Sequence, residues 1–153
     1  MGFLLSLVIG FAPMLAYAAV VYWIDRYEKE PWPLVLGLFV WGAVFAAGAS
    51  FVLNTLFGLG VYLTTGSEEA TQIATGVFSA PLVEETSKGL AILLVWALFR
   101  SEFDTYLDGI VYGAVVGLGF AATENTYYIY SMGYLAEGWS GLAVVSVVRV
   151  VLF

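Results

Sequence analysis

Residues 73–99, IATGVFSAPLVEETSKGLAILLVWALF, decide how the chain is read. The run is long enough to cross the hydrocarbon core of a bilayer, which takes ~20 apolar residues in a helix. It nevertheless carries Glu84, Glu85 and Lys88 within its apolar length and is interrupted by Pro81. A charged group at the centre of a span costs ~2.5–3.5 kcal/mol on insertion scales, so three in one helix call for compensation. Lys88 lies four residues after Glu84 and three after Glu85, so its ammonium reaches either carboxylate along the helix surface and leaves the other over. Neighbouring residues on a helix point ~100° apart, so the two acids cannot both aim at one atom. One is expected to do chemistry while the other orients it or neutralises Lys88.

Outward from this segment the chain has the same solvent. Of its 153 residues 61% are hydrophobic and 11% charged, far from the balance of a water-soluble domain. Residues 3–23, 34–57 and 106–130 are further span-length apolar runs, and 141–153 is a shorter one that stops after thirteen residues. Ala16-Tyr17-Ala18 resembles a signal-peptidase site, but no Lys or Arg precedes the first run, which favours a retained span. Pro31 and Pro33 are placed to start the second helix, with Trp23, Tyr27 and Trp32 as interfacial anchors. Residues 58–72 and 131–140 read as loops. The expected fold class is therefore all-α: a polytopic transmembrane helix bundle of about five spans, forming a single integral membrane domain over 1–153. The last span is expected to be unfinished and the chain a fragment.

Composition also excludes. With no Cys there is neither a disulfide nor a thiolate nucleophile, and with no His no imidazole. The five Lys and Arg residues form no basic patch and the net charge is −7, so nucleic acid is not an expected partner. Arg26, Lys29 and Arg100 fall in the first and third loops, none in the second and fourth. The positive-inside rule then places the N-terminus outside a cytoplasmic membrane.

A second acid belongs with the first. Glu84 is sixteen residues before Arg100 and Glu124 sixteen after Asp108, on antiparallel helices that leave the same face of the membrane. At 1.5 Å per residue both carboxylates lie ~24 Å from that face, and they meet if the helices touch. Gly109, Gly113 and Gly117, continued by Ala121 and Asn125, form a small-residue ridge that suits close packing. Asn125 and Tyr128 stand beside Glu124 and can hold its orientation. Carboxylates crowded together in low dielectric cannot all ionise cheaply, which suits one of them to be a general base. The residues alone leave three uses open: water activation, metal binding and proton relay.

Four segments resemble the PrsW-type intramembrane proteases, distant relatives of the CAAX prenyl endopeptidases. They are Asp25-Arg26-Tyr27-Glu28-Lys29-Glu30-Pro31-Trp32; Pro81-Leu82-Val83-Glu84-Glu85-Thr86-Ser87-Lys88, an E-E-x-x-K element; Phe103-Asp104 through Asp108-Gly109 and Tyr112-Gly113; and Gly117 through Tyr128. The resemblance implies an endopeptidase that cleaves a membrane-anchored protein, in the best-known setting the first cut of an anti-sigma factor. It carries over Glu84 and Glu85 as the catalytic pair, with Glu84 the expected base, and Glu124 as the second essential acid. Lys88, Asn125 and Asp108 are supporting residues. Arg149 matches an Arg that the family follows with a His, and the sequence ends before that position, so this piece is expected to be inactive by itself. The expected chemistry is glutamate-activated water without a cofactor. The alternative is a zinc site with Glu84, Glu85 and Glu124 as ligands, completed by the missing His. Competing functions are a proton- or ion-coupled transporter and a non-catalytic membrane scaffold, for which the same acids serve as relay or glue.

Overall fold

A computed structural model describes residues 1–24 and 29–152. Asp25, Arg26, Tyr27 and Glu28, and with them the expected anchor at Tyr27 and the positive charge at Arg26, lie outside the described residues, as does Phe153.

The described residues are helical, with no strand. Helix α1 is Gly2–Ile24 and α2 is Trp32–Thr65. Helix α3 runs over residues 68–98, and α4 is Tyr106–Tyr128. A wide π turn, Ile129–Tyr134, leads from α4 into α5, Leu135–Val147, which ends in a second such turn at Val148–Leu152. Three helical stretches among the described residues are long and apolar enough to cross a membrane: Gly2–Ile24, Trp32–Thr65 and Tyr106–Val151. The chain is thus a helical membrane protein. The acid-bearing α3 is not among the three.

The helix ends follow from local chemistry. Pro33 sits in the first turn of α2, where its missing N–H is no loss. Gly66, at φ 65°, ends α2 in the left-handed region that a side chain disfavours. Ser67 then accepts from the Ala70 N–H at 3.2 Å and starts α3, with Glu68 and Glu69 in the first turn, where the helix dipole favours them. Thr105 and Asp108 cap α4 reciprocally.

Two expected loops are shorter than their composition suggests. Residues 58–65 continue α2, because Thr64 and Thr65 bond back to the carbonyls of Gly60 and Val61 and so satisfy their hydroxyls within the helix. The connection reduces to Gly66 and Ser67, and α3 begins at Glu68 rather than near residue 73. Residues 131–140 are helical too, apart from Gly138 (φ 65°, ψ −140°), where the chain folds back so that Gly141 meets Gly133.

Packing is organised on α4, whose Tyr112, Val115, Val116 and Ala122 are completely buried. Helix α1 lays Gly2, Ser6, Gly10 and Met14, one residue per turn, against α4 and the turn after it. Where α2 crosses α4, a side chain on Gly42 would collide with the Val116 carbonyl, and one on Gly119 with the Phe39 carbonyl. The closest backbone approach is therefore at Gly42 and Gly119 and not along the expected ridge. Of that ridge, Gly113 faces Ile92 of α3, Gly109 faces Phe103, and Gly117 faces open space. Trp41 Nε1 donates to the Ser87 carbonyl at 3.1 Å and ties α2 to α3, while Thr123 Oγ1 donates to the Ala43 carbonyl at 2.7 Å and ties α4 to α2.

Candidate active site

Three helices close around one cavity of about 1120 Å³. Glu84 enters it from α3, Glu124 and Tyr128 from α4, and Ser50 and Asn54 from α2. The aim of Glu84 is prepared upstream. Pro81 has no N–H to donate and its ring crowds the carbonyl four residues back, and the turn just before it, Thr75–Ser79, is widened to π geometry. A second wide turn, Trp41–Ala46, packs directly on α4 and contributes Ala43 and Val44 to the cavity lining.

The twin acids part company. Glu85 does not line the cavity; its side chain is 75% exposed and its Oε1 lies 2.7 Å from Lys88 Nζ. The Lys88 ammonium also stands over the Phe120 ring at 4.4 Å. The ion pair is thus spent on the α3 surface, leaving Glu84 as the acid that faces inward.

Glu124 is held from α5. Arg149 Nη2 lies 2.7 Å from Glu124 Oε2, and Arg149 Nε donates to Asn125 Oδ1 at 3.1 Å. The guanidinium also stacks over the Tyr128 ring at 4.4 Å. Glu124, Asn125 and Tyr128 therefore stand together, as the α4 spacing suggests, and Arg149 joins them from the turn after α5. A charge-assisted contact of this kind fixes direction as well as charge.

Asp108 is elsewhere. Its carboxylate accepts from the backbone N–H groups of Asp104 and Thr105 at 2.9 and 2.7 Å and from Thr105 Oγ1 at 2.6 Å, at the opposite end of α4 from Glu124. One turn on, the Tyr112 hydroxyl meets the buried Glu30 carboxyl and the Glu102 carbonyl, the latter at 2.6 Å. This polar cluster ties the first loop to the third.

The sequence reading passed over the polar side chains of α2. Ser79 Oγ donates to Asn54 Oδ1 at 2.7 Å, and the Oγ of Ser50 and Oγ1 of Thr75 are buried without a hydrogen-bond partner among the described residues. Leaving such a group unpaired costs ~1–3 kcal/mol, so these hydroxyls are open to whatever enters. The available signal was the four-residue spacing of Ser50 and Asn54 in an otherwise apolar span.

The expected alternative of a zinc site calls for several ligands converging on one ion, with carboxylate or imidazole donors. Among the described residues no three His, Cys, Asp or Glu side chains come together. Glu84 and Glu124 share the cavity, but Glu124 is engaged by Arg149 and Glu85 by Lys88. Among the described residues the cavity thus holds two acids, one of them paired with Arg149.

Residues 30–153 match the family described as PrsW family intramembrane metalloprotease. The chain is 35% identical over 124 residues to a protein named Protease PrsW from Geobacillus kaustophilus, covering 81% of this chain and 52% of that one. It is 33% identical over 129 residues to Protease PrsW of Bacillus subtilis, covering 81% and 53%. With the protein of the same name from Clostridioides difficile it is 36% identical over 115 residues, covering 72% and 46%. The chain spans about half the length of the curated relatives it matches. No solved structure matches it.

Proposed function

The chain belongs to the PrsW protease family, and on that premise we propose that it is an intramembrane endopeptidase whose Glu84 activates the attacking water. The observation that carries the reading is the pairing of Glu84 and Glu124, from different helices, across one cavity, while Glu85 is turned outward onto Lys88.

In this mechanism Glu84 takes a proton from water as the water oxygen attacks a peptide carbonyl of the substrate. It then returns the proton to the leaving amine. Glu124, oriented by Arg149, accepts a hydrogen bond from the second water hydrogen and fixes the angle of attack. Glu85 and Lys88 neutralise each other on the α3 surface. The reaction runs on side chains, without a cofactor.

The substrate is a membrane-anchored protein, for which an anti-sigma factor is the setting the family resemblance suggests. The chain crosses the cytoplasmic membrane about five times, with α3 as a span in its own right and the N-terminus outside. Glu84 is then ~24 Å from the cytoplasmic face, in the outer half of the bilayer.

Newly formed N-termini in membranes of the native host, labelled and identified by mass spectrometry, test the reading. Wild-type protein is expected to yield cuts within single-span proteins that Glu84→Gln abolishes. If Glu84→Gln changes no cut but stops proton flux into proteoliposomes, the acids serve transport and the proposal is wrong.

A further inference from the structure

Resting on the endopeptidase reading, we propose that the Ser50 hydroxyl, with the Asn54 amide one turn away, binds the carbonyl oxygen of the bond being cleaved and stabilises the negative charge that forms on it.

The first observation is what Ser50 does not do. Hydroxyl residues elsewhere in these helices bond back to the carbonyl four residues earlier: Ser6 to Gly2 at 3.0 Å, Thr55 to Phe51 at 2.7 Å, Thr126 to Ala122 at 2.8 Å and Ser146 to Leu142 at 2.7 Å. Such bonds are how a serine or threonine usually satisfies itself inside a membrane helix. For Ser50 the corresponding carbonyl is that of Ala46, the last residue of the wide turn Trp41–Ala46, and no bond to it forms. Ser50 is 3% exposed, its Oγ has no partner among the described residues, and it lines the cavity.

The second observation is the fixed direction of Asn54. Its Oδ1 accepts from Ser79 Oγ at 2.7 Å, behind the cavity wall. An amide whose oxygen is anchored on one side presents its N–H groups on the other. Asn54 lines the cavity and Ser79 does not, and with its oxygen taken by Ser79 the amide keeps its N–H groups for a ligand there.

The third is height. Helices α2 and α3 run antiparallel from the Gly66-Ser67 turn, with Asn54 level with Ser79. Glu84 is five residues below Ser79 on α3, ~7.5 Å of rise, which brings it level with residues 49–50 of α2. Ser50 therefore lines the same cavity as the acid at about its depth, with Asn54 one turn above.

The electron count closes on these groups. As the water oxygen bonds to the carbonyl carbon, the π pair of the C=O moves onto oxygen and Glu84 takes the water proton. Ser50 and Asn54 donate to that oxygen. The pair then re-forms the C=O as the C–N bond breaks, and the nitrogen receives the proton from Glu84. Donors already in place for the developing charge act on the transition state more than on the bound substrate.

The test uses a host membrane protein that the N-terminus experiment identifies, with the purified full-length wild-type protein and its variants in proteoliposomes. Ser50→Ala and Asn54→Leu are each expected to lower kcat by about 10- to 100-fold with KM within about threefold, and Ser50→Thr, which restores the hydroxyl, to return most of the rate. If Ser50→Ala and Asn54→Leu keep the wild-type kcat while Glu84→Gln is dead, the carbonyl-binding role is wrong and the endopeptidase reading stands. A rise in KM alone, or a Ser50→Ala protein that fails to elute as a single species in detergent, also overturns it. If no cut depends on Glu84, both fall.

Discussion

Arg149 Nη2 lies 2.7 Å from Glu124 Oε2, so the second acid of the cavity is held by a side chain that arrives only after α5 has folded back at Gly138. Losing this anchor leaves Glu124 in the cavity without a fixed direction. Arg149→Leu is expected to reduce the cleavage rate by about 100-fold, the size of effect that a 1 Å misplacement of a reacting group produces. Arg149→Lys recovers only part, since an ammonium cannot bond Glu124 and Asn125 as a planar fork while stacking on Tyr128. Rates of the two variants on one identified substrate check the order.

Glu84 and Glu85 are adjacent, yet their loss is expected to differ. Glu84→Gln should lower the rate by ~10²–10⁴-fold, the usual contribution of a positioned general base. Glu85→Gln removes only an exposed partner of Lys88, an interaction worth at most ~1 kcal/mol, and should leave the rate within about fivefold. Parallel single-turnover assays decide the matter, and equal losses would sink the division of labour between the two acids.

The contact between α2 and α4 makes a prediction about folding that needs no substrate. Gly42→Val places a side chain against the Val116 carbonyl and should destabilise the protein by ~1–3 kcal/mol or more, because a close backbone crossing cannot repack. At Gly48 nothing lies within 4 Å of an added methyl, so Gly48→Ala should shift stability by less than about 1 kcal/mol, toward the more stable side. Thermal unfolding in detergent compares them.

Metal dependence separates the glutamate mechanism from the zinc alternative. Treatment with a strong zinc chelator is expected to leave the cleavage rate within about twofold, whereas a zinc enzyme would lose its activated water with the ion. Elemental analysis of the purified protein, before and after chelation, gives the companion measurement. Stoichiometric zinc lost together with activity would refute the expectation.

The helical class and the α4 group were legible because each rests on short-range spacing. Residues three and four apart on a helix are neighbours, so Glu124, Asn125 and Tyr128 were grouped without knowing the fold. The depth match of Glu84 and Glu124 needed only helix rise and the shared starting face. What escaped depends on which faces meet. The ridge at Gly109, Gly113 and Gly117 has the right spacing for close packing, but the actual crossing uses Gly42 and Gly119, and no periodicity ranks one set of small residues above another. The stripe Gly2, Ser6, Gly10 on α1 was equally visible and equally unranked. Residues 58–65 and 131–140 look like loops because Thr, Ser and Gly are frequent in turns. Within a bilayer those hydroxyls bond to their own helix and the residues stay helical.

The wide turn at Thr75–Ser79 has an effect on azimuth. A turn of this kind takes up one residue more than an α-helical turn, so every side chain after it is set back by one step, ~100°. Wound as an ordinary α-helix with the same residues, the segment would swing Glu84 to the exposed bearing Glu85 now has and bring Val83 to face Glu124. Which member of the tandem pair looks inward is therefore a matter of phase, set a full turn away by a stretch that contains no acid at all.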